Sequence, residues 1–296
     1  MLIEKKVINI KLNSQLYLKP EYDIHPIISG NKFRKLKYNI ENFNNGNYRG
    51  ILTFGGAFSN HIAATAAAGN ILGIPTVGVI RGLELARNDK INPTLISAVE
   101  NGMKLEFISR KDYKNKNQDK FIKSLLKKYS EYYILPEGGT NNLAVKGCEE
   151  ILSENDLIFD VVCCSVGTGG TISGIINASN SNQKVLGFPA LKNPQIHKDI
   201  CKFAKQSNWK LFCDYHFGGY AKVNSDLIRF MNKFKMDFKI TLDPVYTSKM
   251  IYGVFDLIKK EVISKKDKVL IIHTGGIQGI EGMNDYLKKN NFDLIL

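Results

Sequence analysis

Of 296 residues, 44% are hydrophobic and 23% charged, a balance that supplies ample material for a globular core. No apolar run approaches the roughly 18–20 residues needed to span a bilayer, which argues against a helical membrane protein. The formal net charge is +13, yet the basic residues are scattered. The densest stretch, Lys111 to Lys128, holds seven lysines interrupted by Asp112 and Asp119, so it reads as a solvated face. With no zinc-finger, RNP or basic-region pattern, no nucleic-acid partner is expected. A general attraction for anionic substrates or cofactors is.

Taken in chain order, the N-terminal stretch to Leu18 alternates apolar and polar residues and reads as a strand. It lacks the apolar block of a secretion signal, so a cytoplasmic location is expected. Gly50 to Phe54 is a short apolar run ending at Gly55-Gly56, and the alanine-rich Asn60 to Leu72 reads as a helix. Pro75 to Ile80 reads as a strand, Asn92 to Asn101 as a helix and Lys104 to Ile108 as a strand. Phe121 to Tyr129 has helical periodicity, and Tyr132 to Leu135 is again short and apolar. Asp160 to Val166 is a strong buried strand, followed by a glycine turn and a helix from Thr171. Val185 to Phe188 and Val269 to His273 add two strands. Strands and helices in alternation, with glycine turns between them, spell an α/β fold with a mostly parallel sheet.

The five cysteines, Cys148, Cys163, Cys164, Cys201 and Cys213, show no Cys-x-x-Cys spacing. They suggest neither a disulfide framework nor a zinc site, and no metal is expected. Cys163 and Cys164 lie in the apolar run, where free buried thiols are common.

Four glycine turns follow strand-like runs: Gly55-Gly56, Gly138-Gly139, Gly167-Thr168-Gly169-Gly170-Thr171 and Gly275-Gly276. In open α/β sheets ligands bind beyond the carboxyl ends of the strands. The Gly167–Thr171 turn at a helix start suits an anion such as phosphate. It matches neither Gly-x-Gly-x-x-Gly nor the Walker pattern, which weighs against a nucleotide-dependent oxidoreductase. Lys32 lies in Gly30-Asn31-Lys32-Phe33-Arg34-Lys35-Leu36-Lys37. Four basic residues in seven positions ordinarily mark an exposed helix start; a reactive lysine there needs desolvation or cationic neighbours.

Five motifs occur in order: Gly30-Asn31-Lys32-x-Arg34-Lys35-Leu36, Gly55-Gly56-x-x-Ser59-Asn60-His61, Gly167-Thr168-Gly169-Gly170-Thr171, Asp243-Pro244-Val245-Tyr246-Thr247-x-Lys249 and His273-Thr274-Gly275-Gly276. Together they resemble the 1-aminocyclopropane-1-carboxylate deaminase and D-cysteine desulfhydrase family, from about Tyr17 to Gly279. The resemblance implies pyridoxal 5′-phosphate as cofactor, fold type II, and a homodimer acting on a small amino acid. It implies two domains, each a mostly parallel open sheet covered by helices: a large one from residues 1–43 and 149–296, and a small one from 44–148. Lys32 would carry the cofactor and later shuttle a proton. Asn60 would bond the cofactor's ring oxygen, and Gly167, Thr168, Gly169, Gly170 and Thr171 its phosphate. Ser59 and His61 would meet the substrate carboxylate, Ser59 also as an acid or base. Tyr246 and Tyr220 match active-site tyrosines. His273 reads as a satisfied core histidine.

Thr247 and Thr274 bear on the substrate. The deaminases of the family carry glutamate and leucine at these positions, and desulfhydrase-like members carry hydroxyl residues. A hydroxyl keeps the ring nitrogen protonated less well than a carboxylate, and a thiolate leaves more easily than a cyclopropane ring opens. The expected reaction is therefore β-elimination from D-cysteine to pyruvate, ammonia and hydrogen sulfide. The alternatives are 1-aminocyclopropane-1-carboxylate deamination and a lyase for another small amino acid such as D-serine. The stretch Lys19-Pro20-Glu21-Tyr22-Asp23 departs from the family's basic-acidic pattern, and Phe33 replaces a smaller residue.

Overall fold

The structure, a computed structural model, describes residues 2–86 and 91–296. In chain order the strands are β1 (Ile10–Lys11), β2 (Leu16–Lys19), β3 (Gly50–Gly55), β4 (Thr76–Arg81), β5 (Lys104–Ile108), β6 (Tyr132–Leu135), β7 (Val161–Val166), β8 (Lys184–Pro189), β9 (Trp209–Leu211) and β10 (Val269–Ile272). The helices are α1 (Asn31–Asn44), α2 (Asn60–Leu72), α3 (Pro93–Glu100), α4 (Arg110–Tyr113), α5 (Asp119–Lys128), α6 (Asn142–Glu149), α7 (Gly170–Ala178), α8 (Ile196–Cys201), α9 (Ser225–Phe238), α10 (Thr247–Lys259) and α11 (Gly279–Lys289).

They form two sheets. One has six strands in the order β1-β2-β10-β7-β8-β9, and the other four in the order β5-β4-β3-β6. Every pairing is parallel except β1 with β2. Parallel sheets need cover on both faces, which explains why β7 is buried throughout and, Ser165 apart, apolar rather than alternating. Its Val161 and Cys163 pack with Met250, Ile251 and Val254 of α10. Its Val162, Cys164 and Val166 pack with Ile172, Ile175 and Ile176 of α7 on the opposite face. Cys163 and Cys164 are free and buried. In the smaller sheet, Ile51 and Leu135 pack with Leu36 of α1 and Ala64 and Ala67 of α2. Leu52, Phe54 and Val79 face Tyr113 and Leu125 on the other side.

The long N-terminal strand is not formed: only Ile10–Lys11 and Leu16–Lys19 are extended in the sheet. Asn13 is the reason. Its side-chain oxygen accepts the backbone N–H groups of Gln15 (2.8 Å) and Leu16 (2.7 Å) and folds the chain into a hairpin. Among the described residues no helix is long and apolar enough to cross a membrane.

Helix α1 is tied down at both ends of its first turns. Gly30 precedes it with φ of +65°, and a Cβ there would sit 1.9 Å from the Thr274 carbonyl oxygen, so only glycine fits. Asn31 donates its backbone N–H to that same carbonyl at 3.1 Å. Arg34 and Lys35 are 5% and 2% exposed, which overturns the exposed-helix reading of this basic stretch. Arg34 is held by the fully buried Glu21 through two bonds of 3.0 and 3.3 Å, and by Glu4 at 2.6 Å. Glu21 belongs to the segment that departs from the family pattern, and this pairing is what it does here.

Candidate active site

The carboxyl ends of β3, β6, β7 and β10 open into one cavity of about 550 Å³. All four glycine turns contribute to its wall. Of the residues singled out from sequence, Lys32, Ser59, Asn60, His61, Gly167, Thr168, Gly169, Thr171, Tyr220, Tyr246 and Thr274 line it. Gly170 lies just behind: a Cβ on it would stand 3.3 Å from Lys35 Nζ.

Thr247 is not on the wall. It is fully buried, and its hydroxyl (3.2 Å) and its N–H (3.0 Å) both bond Asp243 Oδ2. Asp243 also accepts the N–H groups of Val245 and Tyr246, so it closes the start of α10 much as a cap would. The Thr247 hydroxyl is thus engaged by the cap at the start of α10. Thr274 does reach the wall, with Oγ1 at 3.3 Å from Ser165 Oγ. Two hydroxyls thus stand together there.

Lys32 and Lys35 are one turn apart on the same face of α1. The Lys32 amine has no hydrogen-bond partner among the described residues. Burial, reinforced by the Lys35 charge, pushes its pKa down to about 7. Lys35 donates to the Gly138 carbonyl (2.9 Å), Thr140 Oγ1 (2.9 Å) and Thr168 Oγ1 (3.5 Å). It is thereby anchored under the Gly167–Thr171 turn without a carboxylate to neutralise it, and burial lowers its pKa. Asn31 Nδ2 donates to Thr171 Oγ1 at 2.8 Å, tying α1 to α7. At the start of α7 no side chain caps the helix. Open backbone N–H groups and a buried ammonium together make a strong anion cradle.

His61 Nε2 lies 2.8 Å from Thr53 Oγ1, whose hydroxyl donates to the Leu135 carbonyl at 2.9 Å. The histidine proton therefore sits on Nε2, leaving Nδ1 a buried acceptor with no partner. Burial and the charges of Lys32 and Lys35 push its pKa well down, so the ring is neutral. Ser59 caps α2, its Oγ accepting the Ile62 N–H at 3.3 Å. Asn60 Oδ1 accepts from Gln278 at 3.0 Å.

Tyr220 and Tyr246 meet edge to face with centroids 6.2 Å apart. Burial raises Tyr220 to about 12 and holds Tyr246 well above the ordinary phenol value, so both phenols keep their protons at neutral pH. Tyr220 donates to the Phe58 carbonyl at 3.3 Å. Its loop is gripped by the buried Lys249, which donates to the carbonyls of Gly219 (2.8 Å) and His216 (2.9 Å). His273 is fully buried, with Nε2 3.0 Å from the Thr241 carbonyl, as a satisfied core histidine should be.

Sequence reasoning assigned no separate role to Lys35, Thr140, Ser165, Arg81 or Lys249. The i, i+3 spacing of Lys35 from Lys32 was the available signal for the first. Arg81 ends a strand of the same sheet as Gly55, which was a weaker one.

An electron-sink chemistry that needs a reactive lysine beside an anion cradle is what this wall defines. The chain belongs to the pyridoxal-phosphate-dependent enzymes, whose family model matches residues 2–275. It is 29% identical to the bifunctional D-cysteine desulfhydrase/1-aminocyclopropane-1-carboxylate deaminase of Arabidopsis thaliana, over 90% of this chain and 73% of that one. It is 27% identical to a Pyrococcus horikoshii protein provisionally named 1-aminocyclopropane-1-carboxylate deaminase, over 95% of this chain and 90% of that one. A crystal structure of a 1-aminocyclopropane-1-carboxylate deaminase homologue superposes with a TM-score of 0.83 at 25% identity, covering 98% of this chain and 95% of that one. The residues present fit the cofactor: an unpaired amine of low pKa for its aldehyde, and an uncapped helix start with a buried lysine for its phosphate.

Proposed function

We propose that this enzyme is a D-cysteine desulfhydrase-like lyase that releases pyruvate, ammonia and hydrogen sulfide from D-cysteine. Bound pyridoxal phosphate supplies the electron sink that makes the α-proton of an amino acid removable. Lys32 holds the cofactor and, once freed, takes that proton; an amine with a pKa near 7 is suited to both tasks at neutral pH. Lys35, Thr168, Thr171 and the backbone of Gly167, Gly169 and Gly170 hold the phosphate. Asn60 bonds the ring oxygen. Ser59 and His61, at the start of α2, receive the substrate carboxylate. Tyr246 and Tyr220, both protonated, are the donors available to a departing sulfur.

The choice of substrate rests on one observation. Thr274 and Ser165 offer hydroxyls to the cavity, while the carboxylates lining it are engaged: Glu137 with Lys116 at 3.2 Å and Asp199 with Lys202 at 2.7 Å. Asp243 is saturated by the start of α10. Among the described residues no free carboxylate lines the cavity to hold the ring nitrogen protonated, which suits an easy leaving group better than a strained ring. The names of the relatives favour the second reading, 1-aminocyclopropane-1-carboxylate deamination. Specificity constants for D-cysteine, L-cysteine, D-serine and 1-aminocyclopropane-1-carboxylate, measured by pyruvate release, decide between them. D-cysteine is expected to lead; a lead for the cyclopropane substrate overturns the assignment. The same reading carries a homodimer and a cytoplasmic location, checked by sedimentation and cell fractionation.

A further inference from the structure

Among the described residues, three cations on the cavity wall have no carboxylate partner: Lys32, Lys35 and Arg81. The proposed function uses the first two, one for the aldehyde and one for the phosphate. Arg81 is left over. It is the exposed last residue of β4, at the carboxyl end of the strand where the sheet meets the cavity. Its guanidinium carbon lies 5.8 Å from the centroid of the Tyr113 ring. That ring is buried and fixed, its hydroxyl donating to Glu137 Oε1 at 2.8 Å. On the other side, a Cβ built on Gly56 would lie 3.5 Å from Arg81 Nη2. The charge also reaches Tyr220: burial raises that phenol, and Arg81 is among the influences that oppose the rise. Arg81 is thus held on an aromatic face, between the Gly56 turn and the tyrosine proposed to serve the leaving group.

We propose that Arg81 binds a negative charge on the substrate's β-substituent, so that β-substituted alanines with an anionic oxyacid leaving group, such as a phosphate ester, are substrates. This rests on the β-elimination reading and extends it. A guanidinium presents a planar fork of donors that matches phosphate oxygens. It gains most where charge accumulates on the departing group, which makes the contact stronger as the bond breaks. With O-phosphoserine the Cα–H and Cβ–O bonds break. Lys32 takes the proton, and the Cβ–O electron pair leaves with inorganic phosphate. The enamine then takes up one water and yields pyruvate and ammonia, so no oxidant or reductant is required.

The test compares O-phosphoserine, both enantiomers, with β-chloroalanine, whose leaving group is uncharged in the substrate. The cofactor-loaded enzyme is expected to release phosphate and pyruvate in equal amounts from one enantiomer of O-phosphoserine. In Arg81→Met, the ratio of kcat/KM for O-phosphoserine to that for β-chloroalanine is expected to fall about 10- to 100-fold, the scale of a lost charge-assisted bond. Arg81→Lys is expected to recover part of the ratio. Equal loss on both substrates would place Arg81 at the common carboxylate and overturn the proposal, as would an unchanged ratio. Turnover of β-chloroalanine without turnover of O-phosphoserine by the unmodified enzyme defeats this proposal alone. Failure with β-chloroalanine defeats the elimination reading as well.

Discussion

Two lysines one helical turn apart meet different fates because of what surrounds their amines. Lys35 is bonded to a carbonyl and two hydroxyls, while Lys32 has no partner among the described residues, and burial lowers its pKa to about 7. A base whose pKa is lowered is charged below that value and neutral above it. Capture of the cofactor by the apoprotein needs the neutral amine. Its rate should therefore rise about tenfold from pH 6 to pH 8 and level off above, whereas an ordinary lysine would keep gaining to pH 10. Stopped-flow absorbance on the apoprotein measures this; a rise continuing beyond pH 9 contradicts it. Lys35→Met should weaken cofactor affinity about 10- to 100-fold, as for one lost charged bond, read by titrating the apoprotein. Lys32 was legible through the motif around it. The burial of its neighbours Arg34 and Lys35 was not, because four basic residues in seven positions look like a solvated face until Glu21 and the Gly138 turn are seen to receive these two. The bond between Thr247 and Asp243 was not legible for a related reason. A hydroxyl in a family motif says nothing of which neighbour claims it, and here Asp243 does.

At the scale of elements, α1 aims both lysines, and its position is set by backbone contacts. On one side is the Thr274 carbonyl; on the other is α6. A Cβ on Gly147 would lie 1.9 Å from the Arg34 carbonyl oxygen, so α6 and α1 pack backbone to backbone. Gly147→Ala should push α1 away and cost about 1–3 kcal/mol of stability, with a fall in kcat larger than the change in KM. Urea unfolding and steady-state kinetics check both parts; an unchanged protein would show that α6 does not locate the helix. Arg34→Ala removes the partner of the buried Glu21 and should cost about 3–5 kcal/mol. Most strands from β3 to β10 were legible, since short apolar runs before glycine turns leave few other readings. The N-terminal strand was not, because alternation alone does not reveal that the Asn13 side chain turns the chain. Helices α9, α10 and α11 were not read from the sequence, and their packing on the large sheet is what places them.

At the scale of the molecule, two mostly parallel sheets turn the carboxyl ends of their parallel strands to one cavity, so residues far apart in sequence share a wall. Asn31 bonds Thr171 across 140 positions, and Lys35 reaches Thr140 across 105. Sequence order carried the set of motifs; only the fold carries their distances. We propose that residues 44–148, which hold the smaller sheet, form a small domain, which hydrogen exchange would detect as a segment protected as one cooperative unit.

The central claim is that Lys32 carries the cofactor. Borohydride reduction of the pyridoxal-phosphate-loaded protein, followed by peptide mass spectrometry, tests it directly. The account predicts a stable pyridoxyl-phosphate adduct on Lys32, absent in Lys32→Ala. An adduct on Lys35, or one that persists in Lys32→Ala, would contradict it.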